Sequence, residues 1–196
     1  AVPRKLAPSF RDDDFIREKV PMTKEEIRHL SICKLKLVEN SVVFDIGCGT
    51  GSISIEAAAM SPDIKVYAIE TNPDAVNLTK QNCKKQNLAN VKVIENLAPS
   101  GFDNLPVPTN VFIGGSKGNL REIIQSLADK KSGMRIVINA VSLETIAEVS
   151  DIADDFNISD FEAVCINVGK AKKIGGYHLM QANNPVYIFS FDLQAE

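Results

Sequence analysis

The stretch Val42-Val-Phe-Asp-Ile-Gly-Cys-Gly-Thr-Gly51 decides the fold. Four of its first five residues are apolar and three of those are β-branched, which suits a strand buried on both faces. Three glycines follow at alternate positions, Gly47, Gly49 and Gly51, and then Ser52-Ile-Ser-Ile-Glu-Ala-Ala-Ala-Met opens a helix. A strand, a glycine turn and a helix N-terminus together let a ligand approach bare backbone.

Outward from that unit, strands and helices alternate. Upstream, Thr23-Lys-Glu-Glu reads as a capping box with Thr23 as N-cap, and Ile27, Leu30, Ile32 and Leu35 give residues 24–36 an amphipathic helical stripe. Residues 1–22, with Pro3, Pro8 and Pro21 around a charged run, read as an N-terminal arm. Residues 23–196 read as one domain. Downstream, strands are expected at Lys65 to Glu70, Val91 to Glu95, Val111 to Ile113 and Met134 to Ala140. Helices are expected over about 73–86, 118–130 and 143–156. Two late strands, Phe161 to Val168 and Val186 to Phe191, are joined without a helix and should pair antiparallel. The expected fold class is α/β, a doubly wound, mostly parallel seven-stranded sheet with a C-terminal antiparallel hairpin.

Composition narrows the function. A chain of 196 residues with 44% hydrophobic and 24% charged residues is ordinary for a globular domain. A net charge of −3 and a pI near 5.5 disfavour nucleic acid as a partner. No apolar run approaches the roughly 18 residues of a membrane span, and no signal-peptide core is visible. Cys33, Cys48, Cys83 and Cys165 form no Cys-x-x-Cys pair, and His29 and His178 are the two histidines. No metal site is expected, and a reducing cytoplasm is the expected compartment.

The glycine turn departs from the dinucleotide fingerprint Gly-x-Gly-x-x-Gly, because the third glycine comes one position early and Ser52 takes its place. Asp45 stands just before the turn. A carboxylate there would repel a pyrophosphate, yet it suits a ligand carrying an ammonium or sulfonium group. The pattern therefore favours S-adenosylmethionine over NAD, held by Asp45, Gly47, Cys48, Gly49, Thr50 and Gly51. Glu70, at the end of the second strand, is placed to accept both hydroxyls of a ribose.

These words resemble the first motif of the class I methyltransferases that use S-adenosylmethionine. A narrower resemblance covers residues 12 to 192, to the family that methylates and decarboxylates cobalt-precorrin-6B or precorrin-6B in cobalamin biosynthesis. It is carried by Pro21-Met-Thr-Lys-Glu-Glu-Ile-Arg, Tyr67-Ala-Ile-Glu-Thr-Asn-Pro-Asp-Ala, Ile113-Gly-Gly-Ser-Lys-Gly-Asn-Leu, Ile138-Asn-Ala-Val-Ser-Leu-Glu-Thr and Asn184-Pro-Val. The resemblance implies transfer of a methyl group to a ring carbon of a corrinoid precursor, with loss of an acetate carboxylate. It also implies a homotetramer, and an arm folded over the cofactor with Thr23 touching it. Where the family often has Gly-Asp-Ala-Pro after the third strand, this chain has Asn96-Leu-Ala-Pro, so the adenine contact falls to the backbone at Ala98.

Methyl transfer from a sulfonium needs alignment and exclusion of water more than a nucleophile, and no catalytic nucleophile is expected. Gly115 and Ser116 leave open space for a large flat substrate. Lys170 and Lys172, in what reads as a mobile cationic loop, are candidates for carboxylate arms, and Ser142 follows the fifth strand on the ligand edge. His178 is a candidate proton donor. Glu144 is either a proton shuttle or a helix-dipole acid. Two alternatives share the fold: a methyltransferase acting on a tRNA or RNA base, and a non-catalytic module that binds S-adenosylmethionine. The acidic pI and the absence of Asn-Pro-Pro-Tyr or Pro-Cys words after the fourth strand count against the first.

Overall fold

A computed structural model describes residues 9–102 and 104–195; Pro3 and Pro8 of the expected arm lie outside them. Strands β1 (Val42–Ile46), β2 (Lys65–Glu70), β3 (Val91–Glu95), β4 (Asn110–Ile113) and β5 (Met134–Ala140) alternate with helices α2 (Ser52–Met60), α3 (Pro73–Lys85) and α4 (Leu120–Ala128). Helix α1 (Glu25–Leu35) precedes them and α5 (Leu143–Asp155) follows β5. The chain ends with β6 (Ile158–Ile166), β7 (Gly169–Ile174), β8 (Tyr177–Ala182) and β9 (Val186–Leu193).

Seven strands form one sheet in the order β3-β2-β1-β4-β5-β9-β6, parallel from β3 to β5 and antiparallel where β9 meets β5 and β6. Alternation along β1 sends Phe44 and Ile46 into the cluster under α4 and α5, and Val43 into the cluster under α1 and α2. Both faces are thus covered, as the run of apolar residues in β1 demands. Strand order reverses between β1 and β4, which opens a crevice at their C-terminal ends.

Three local expectations are corrected. Helix α1 starts at Glu25, its N-cap is Lys24, and no side chain of its own caps it. Asp12 from the arm does that work: its Oδ1 accepts from the Glu25 amide at 2.9 Å. The Thr23–Glu26 capping box therefore does not form, and the Thr23 carbonyl instead accepts from Arg28. The connection read as a mobile loop is a β-hairpin, with β7 and β8 paired antiparallel and joined by Gly175 and Gly176. Gly175 has φ +60°, the left-handed geometry a two-residue hairpin turn requires.

Candidate functional site

A cavity of about 540 Å3 lies at the reversal of strand order. Its walls are residues 47–49 after β1, 70–72 after β2, 96–98 after β3 and 114–117 after β4. Residues 20–24 of the arm close one side, and Asn139, Val141, Asn183 and Asn184 form the opposite end. Among the predicted residues, Thr23, Gly47, Cys48, Gly49, Glu70, Ala98, Gly115 and Ser116 are brought together here.

The glycines are required by crowding as well as by backbone geometry. Gly47, Gly49 and Gly51 all have φ between +57° and +77°. A Cβ on Gly47 would stand 2.5 Å from the Gly115 carbonyl oxygen, and one on Gly51 would stand 2.6 Å from the Thr79 methyl. Four of the turn's five amides are already engaged. Gly47 and Cys48 donate to the Ile69 carbonyl at 2.9 and 3.2 Å, Gly51 to the Cys48 carbonyl at 2.8 Å, and Gly49 to Glu70 Oε2 at 3.1 Å. A phosphate-cradling loop instead leaves its amides free for the anion.

Glu70 is nine-tenths buried and fixed by backbone. Its Oε1 accepts from the amides of Thr71 (2.7 Å) and Asn72 (2.9 Å), while Oε2 holds Gly49. The carboxylate lines the cavity in one orientation; Oε1 is filled by its two amides, and Oε2 keeps one acceptor site for a ligand hydroxyl.

Asp45 is elsewhere. It shares the α2 face of β1 with Val43, is fully buried, and accepts from the amide of Ser54 at 3.0 Å and from its hydroxyl. It does not line the cavity, so it acts on the turn from beneath as an acid at a helix N-terminus, not on a ligand. Burial pushes its pKa up to about 7. Thr50 and Gly51 also lie behind the wall. Cys48 does face the cavity, but burial and then the neighbouring Asp45 carboxylate push its thiol well above the usual range. It stays protonated and supplies no nucleophile.

Several candidates for substrate handling stand outside the cavity. Lys170 is committed to Glu26 at 2.9 Å and lies 3.8 Å from Asp12. Lys172 and His178 are exposed on the hairpin, where His178 pairs in register with Lys173. Ser142 caps α5 by accepting from the Thr145 amide, and Glu144 is an exposed acid in that helix's first turn. Among the described residues, none in β7 or β8 lines the cavity.

Lys117, Asn139, Asn183, Asn184 and the arm residues Val20, Pro21 and Met22, none of them expected as site residues, also line the cavity. Signals existed for two sets of them. Lys117 follows Gly114-Gly-Ser directly at the C-terminal end of β4, and Pro21-Met22 precede the word containing Thr23.

Residues 14–192 match the family model for the precorrin methyltransferase domain. A curated relative from Sulfurisphaera tokodaii, named a cobalt-precorrin-6B C(15)-methyltransferase (decarboxylating), is 40% identical over 185 residues, 92% of this chain and 95% of its own. The solved structure of a precorrin-6Y C5,15-methyltransferase from Geobacter metallireducens is 39% identical with a TM-score of 0.88, covering 94% of this chain and 98% of that one. A precorrin 8W decarboxylase from Methanobacterium thermoautotrophicum is 32% identical with a TM-score of 0.84, over 92% and 98%. The Rossmann-like sheet, the crevice at its reversal and this agreement along nearly the whole chain lead to one assignment: the protein belongs to the precorrin methyltransferase family.

Proposed function

We propose that the cavity binds S-adenosylmethionine and that the enzyme methylates a ring carbon of cobalt-precorrin-6B, or precorrin-6B, with loss of carbon dioxide from an acetate side chain. The names of the relatives support the substrate. The observation that carries the cofactor is Glu70. Its carboxylate is locked by three backbone amides and faces the cavity beside a turn four of whose five amides are engaged. That arrangement welcomes a ribose hydroxyl and offers a pyrophosphate a negative charge instead of donors.

When bound, S-adenosylmethionine supplies an activated methyl group on a sulfonium. The chain's residues bind, orient and exclude water. Glu70 would take a ribose hydroxyl, Gly47 and Gly49 would line the wall beside the amino-acid part, the backbone at Ala98 would meet the adenine, and Thr23 would close from the arm side. Gly115 and Ser116 leave room for the flat tetrapyrrole, and Lys117 stands at the rim for one of its carboxylates. Alignment and water exclusion at this level supply much of the rate for a displacement on an activated donor.

We place the protein in the cytoplasm, a reading supported by the exposed free thiols of Cys33 and Cys165. No helix among the described residues is long and apolar enough to cross a membrane. We propose a homo-oligomer, a homotetramer on the family resemblance. Exposed Ile174, Tyr177 and Leu179 on one face of the hairpin support association.

Calorimetry with S-adenosylmethionine and with NAD tests the cofactor, and mass spectrometry of the product from cobalt-precorrin-6B tests the reaction. Binding of the first ligand only, about tenfold or more weaker after Glu70→Ala, is expected. Unchanged affinity in that variant would overturn the placement. A product that gains a methyl but keeps every carboxylate would remove the decarboxylation alone.

A further inference from the structure

The arm residues 20–23 lie along the cavity wall, and the segment containing them is held at both ends by side chains that never reach the cavity. At one end stands Asn82 of α3, fully buried. Its Oδ1 accepts from the Ile16 amide at 2.7 Å, and its Nδ2 donates to the Ile16 carbonyl at 2.8 Å and to the Thr50 carbonyl at 3.0 Å. One amide side chain thereby copies a strand partner for the arm and ties it to the residue between Gly49 and Gly51. At the other end stands Arg28 of α1, also fully buried. Its Nη1 donates to the Thr23 carbonyl at 2.8 Å and its Nη2 to the Phe10 carbonyl, and the guanidinium lies 4.7 Å from the centre of the Phe15 ring. Glu56 of α2 neutralises it, accepting from Nε at 3.0 Å.

Between these posts the arm has little of its own to hold it. The Val20 amide donates to the Arg17 carbonyl at 2.9 Å, and the chain then crosses the glycine turn so closely that the Pro21 carbonyl faces Gly49 directly. Asn82 stands on α3 and Arg28 on α1, where Glu56 of α2 anchors it. Phe15 packs with Ile55 and Cys83, and Phe10 and Met22 pack against them, but the polar anchors that fix the arm backbone over the cavity are Asn82 and Arg28.

We infer that Asn82 and Arg28 are positioning residues for the methyl donor: they hold residues 17–22 as a strap across the cavity and so set how long the cofactor stays. The inference rests on the reading of the cavity as the S-adenosylmethionine site. A residue acting this way lengthens cofactor residence without taking part in the alignment of methyl group and substrate. Its loss moves cofactor affinity and dissociation while leaving turnover at saturating cofactor nearly intact.

The test uses the full chain with Asn82→Ala and, separately, Arg28→Lys, which keeps the charge beside Glu56 while losing the fork that spans two carbonyls. Arg121→Ala, in an exposed ion pair with Asp155, serves as control. Dissociation of S-adenosylmethionine is followed by rapid displacement, and amide exchange across residues 17–22 is followed without cofactor. Each variant should release the cofactor about tenfold faster, the gain expected when one or two buried hydrogen bonds are lost. Turnover at saturation should stay within about twofold, and exchange in the strap should rise. A variant that melts lower but keeps both the wild-type dissociation rate and strap exchange has a merely structural post, and the inference falls. If Asn82→Ala does not fold, Arg28→Lys decides the matter by the same two readouts. Wild-type protein that does not bind S-adenosylmethionine would instead overturn the cofactor reading and take the inference with it, an outcome told apart by calorimetry on the unmodified chain.

Discussion

The carbonyl oxygen of Pro21 lies 3.0 Å from the point where a β-carbon on Gly49 would stand. The arm and the glycine turn are thus in backbone contact, and the side-chain-free position at Gly49 is what lets them meet. Gly49 also has φ +57°, so an L-side chain there is strained by about 1–2 kcal/mol before any clash. Gly49→Ala should lift the arm, weaken S-adenosylmethionine binding by about tenfold or more, and lower the melting temperature. Calorimetry and a thermal melt check both; unchanged affinity would mean that the contact is incidental.

Asp45 makes stability depend on pH in an unusual direction. Burial raises its pKa from 3.8 to about 7, so between those values the folded chain holds a proton that the unfolded chain has lost. Its contribution is largest below about pH 4, declines as pH rises through the window and is flat above about 7. The full difference is on the order of 4 kcal/mol. Asp45→Asn keeps an acceptor for Ser54 and removes the titration. Urea unfolding should show the variant gaining on the wild type from about pH 4 to 7. A difference constant with pH would show that the carboxyl does not change its protonation on folding.

Lys117 is the cation we expect a carboxylated substrate to meet. It lines the cavity, its ammonium group contacts the Thr71 hydroxyl, and among the described residues no acid pairs with it. Lys117→Ala should raise KM for the corrinoid several-fold, on the order of fivefold at low salt and less at high salt, with cofactor affinity unchanged. Lys172→Ala and His178→Ala, both on the hairpin, should leave KM unchanged in an oligomer that stays assembled. Steady-state kinetics at two ionic strengths decide between the rim and the hairpin.

The hairpin carries its own expectation. In β7 and β8, Ile174 pairs with Tyr177 and Lys172 with Leu179, which puts three large exposed apolar side chains on one face of a two-stranded ribbon. An isolated hairpin is marginal in water, and burial against another copy would stabilise it. Tyr177→Lys combined with Leu179→Lys should dissociate the assembly, read as a fall in mass by light scattering coupled to size exclusion. An unchanged mass would place the interface elsewhere.

Much of the sheet was legible because each parallel strand announced itself twice, by a β-branched run and by a turn or cap at its end. Val42 to Ile46 and Lys65 to Glu70 match the structure to the residue. Glu70's place in the cavity wall was legible because strand end and spacing from the glycines fix it. Asp45 was not, because a position next to a turn does not tell which sheet face the side chain takes, and here it faces α2. Thr23 failed as a cap for a related reason. The acceptor at the α1 N-terminus is Asp12, far back in the arm, and local words cannot report a tertiary partner. The hairpin was readable in principle from Gly175-Gly176 between Lys173-Ile174 and Tyr177-His178, but its three lysines pulled the reading towards a loop.

The bonded amides of Gly47, Cys48, Gly49 and Gly51 have a consequence for the protein with nothing bound. Loops that wait for an anion leave donors unsatisfied until it arrives, whereas here four of the five turn amides, those of Gly47, Cys48, Gly49 and Gly51, are already bonded. Ligand occupancy still adds stability by mass action, yet the fold at this point does not depend on it. A cell that runs short of methyl donor would keep intact, idle enzyme rather than lose it to unfolding and proteolysis, and activity would return as quickly as the donor does.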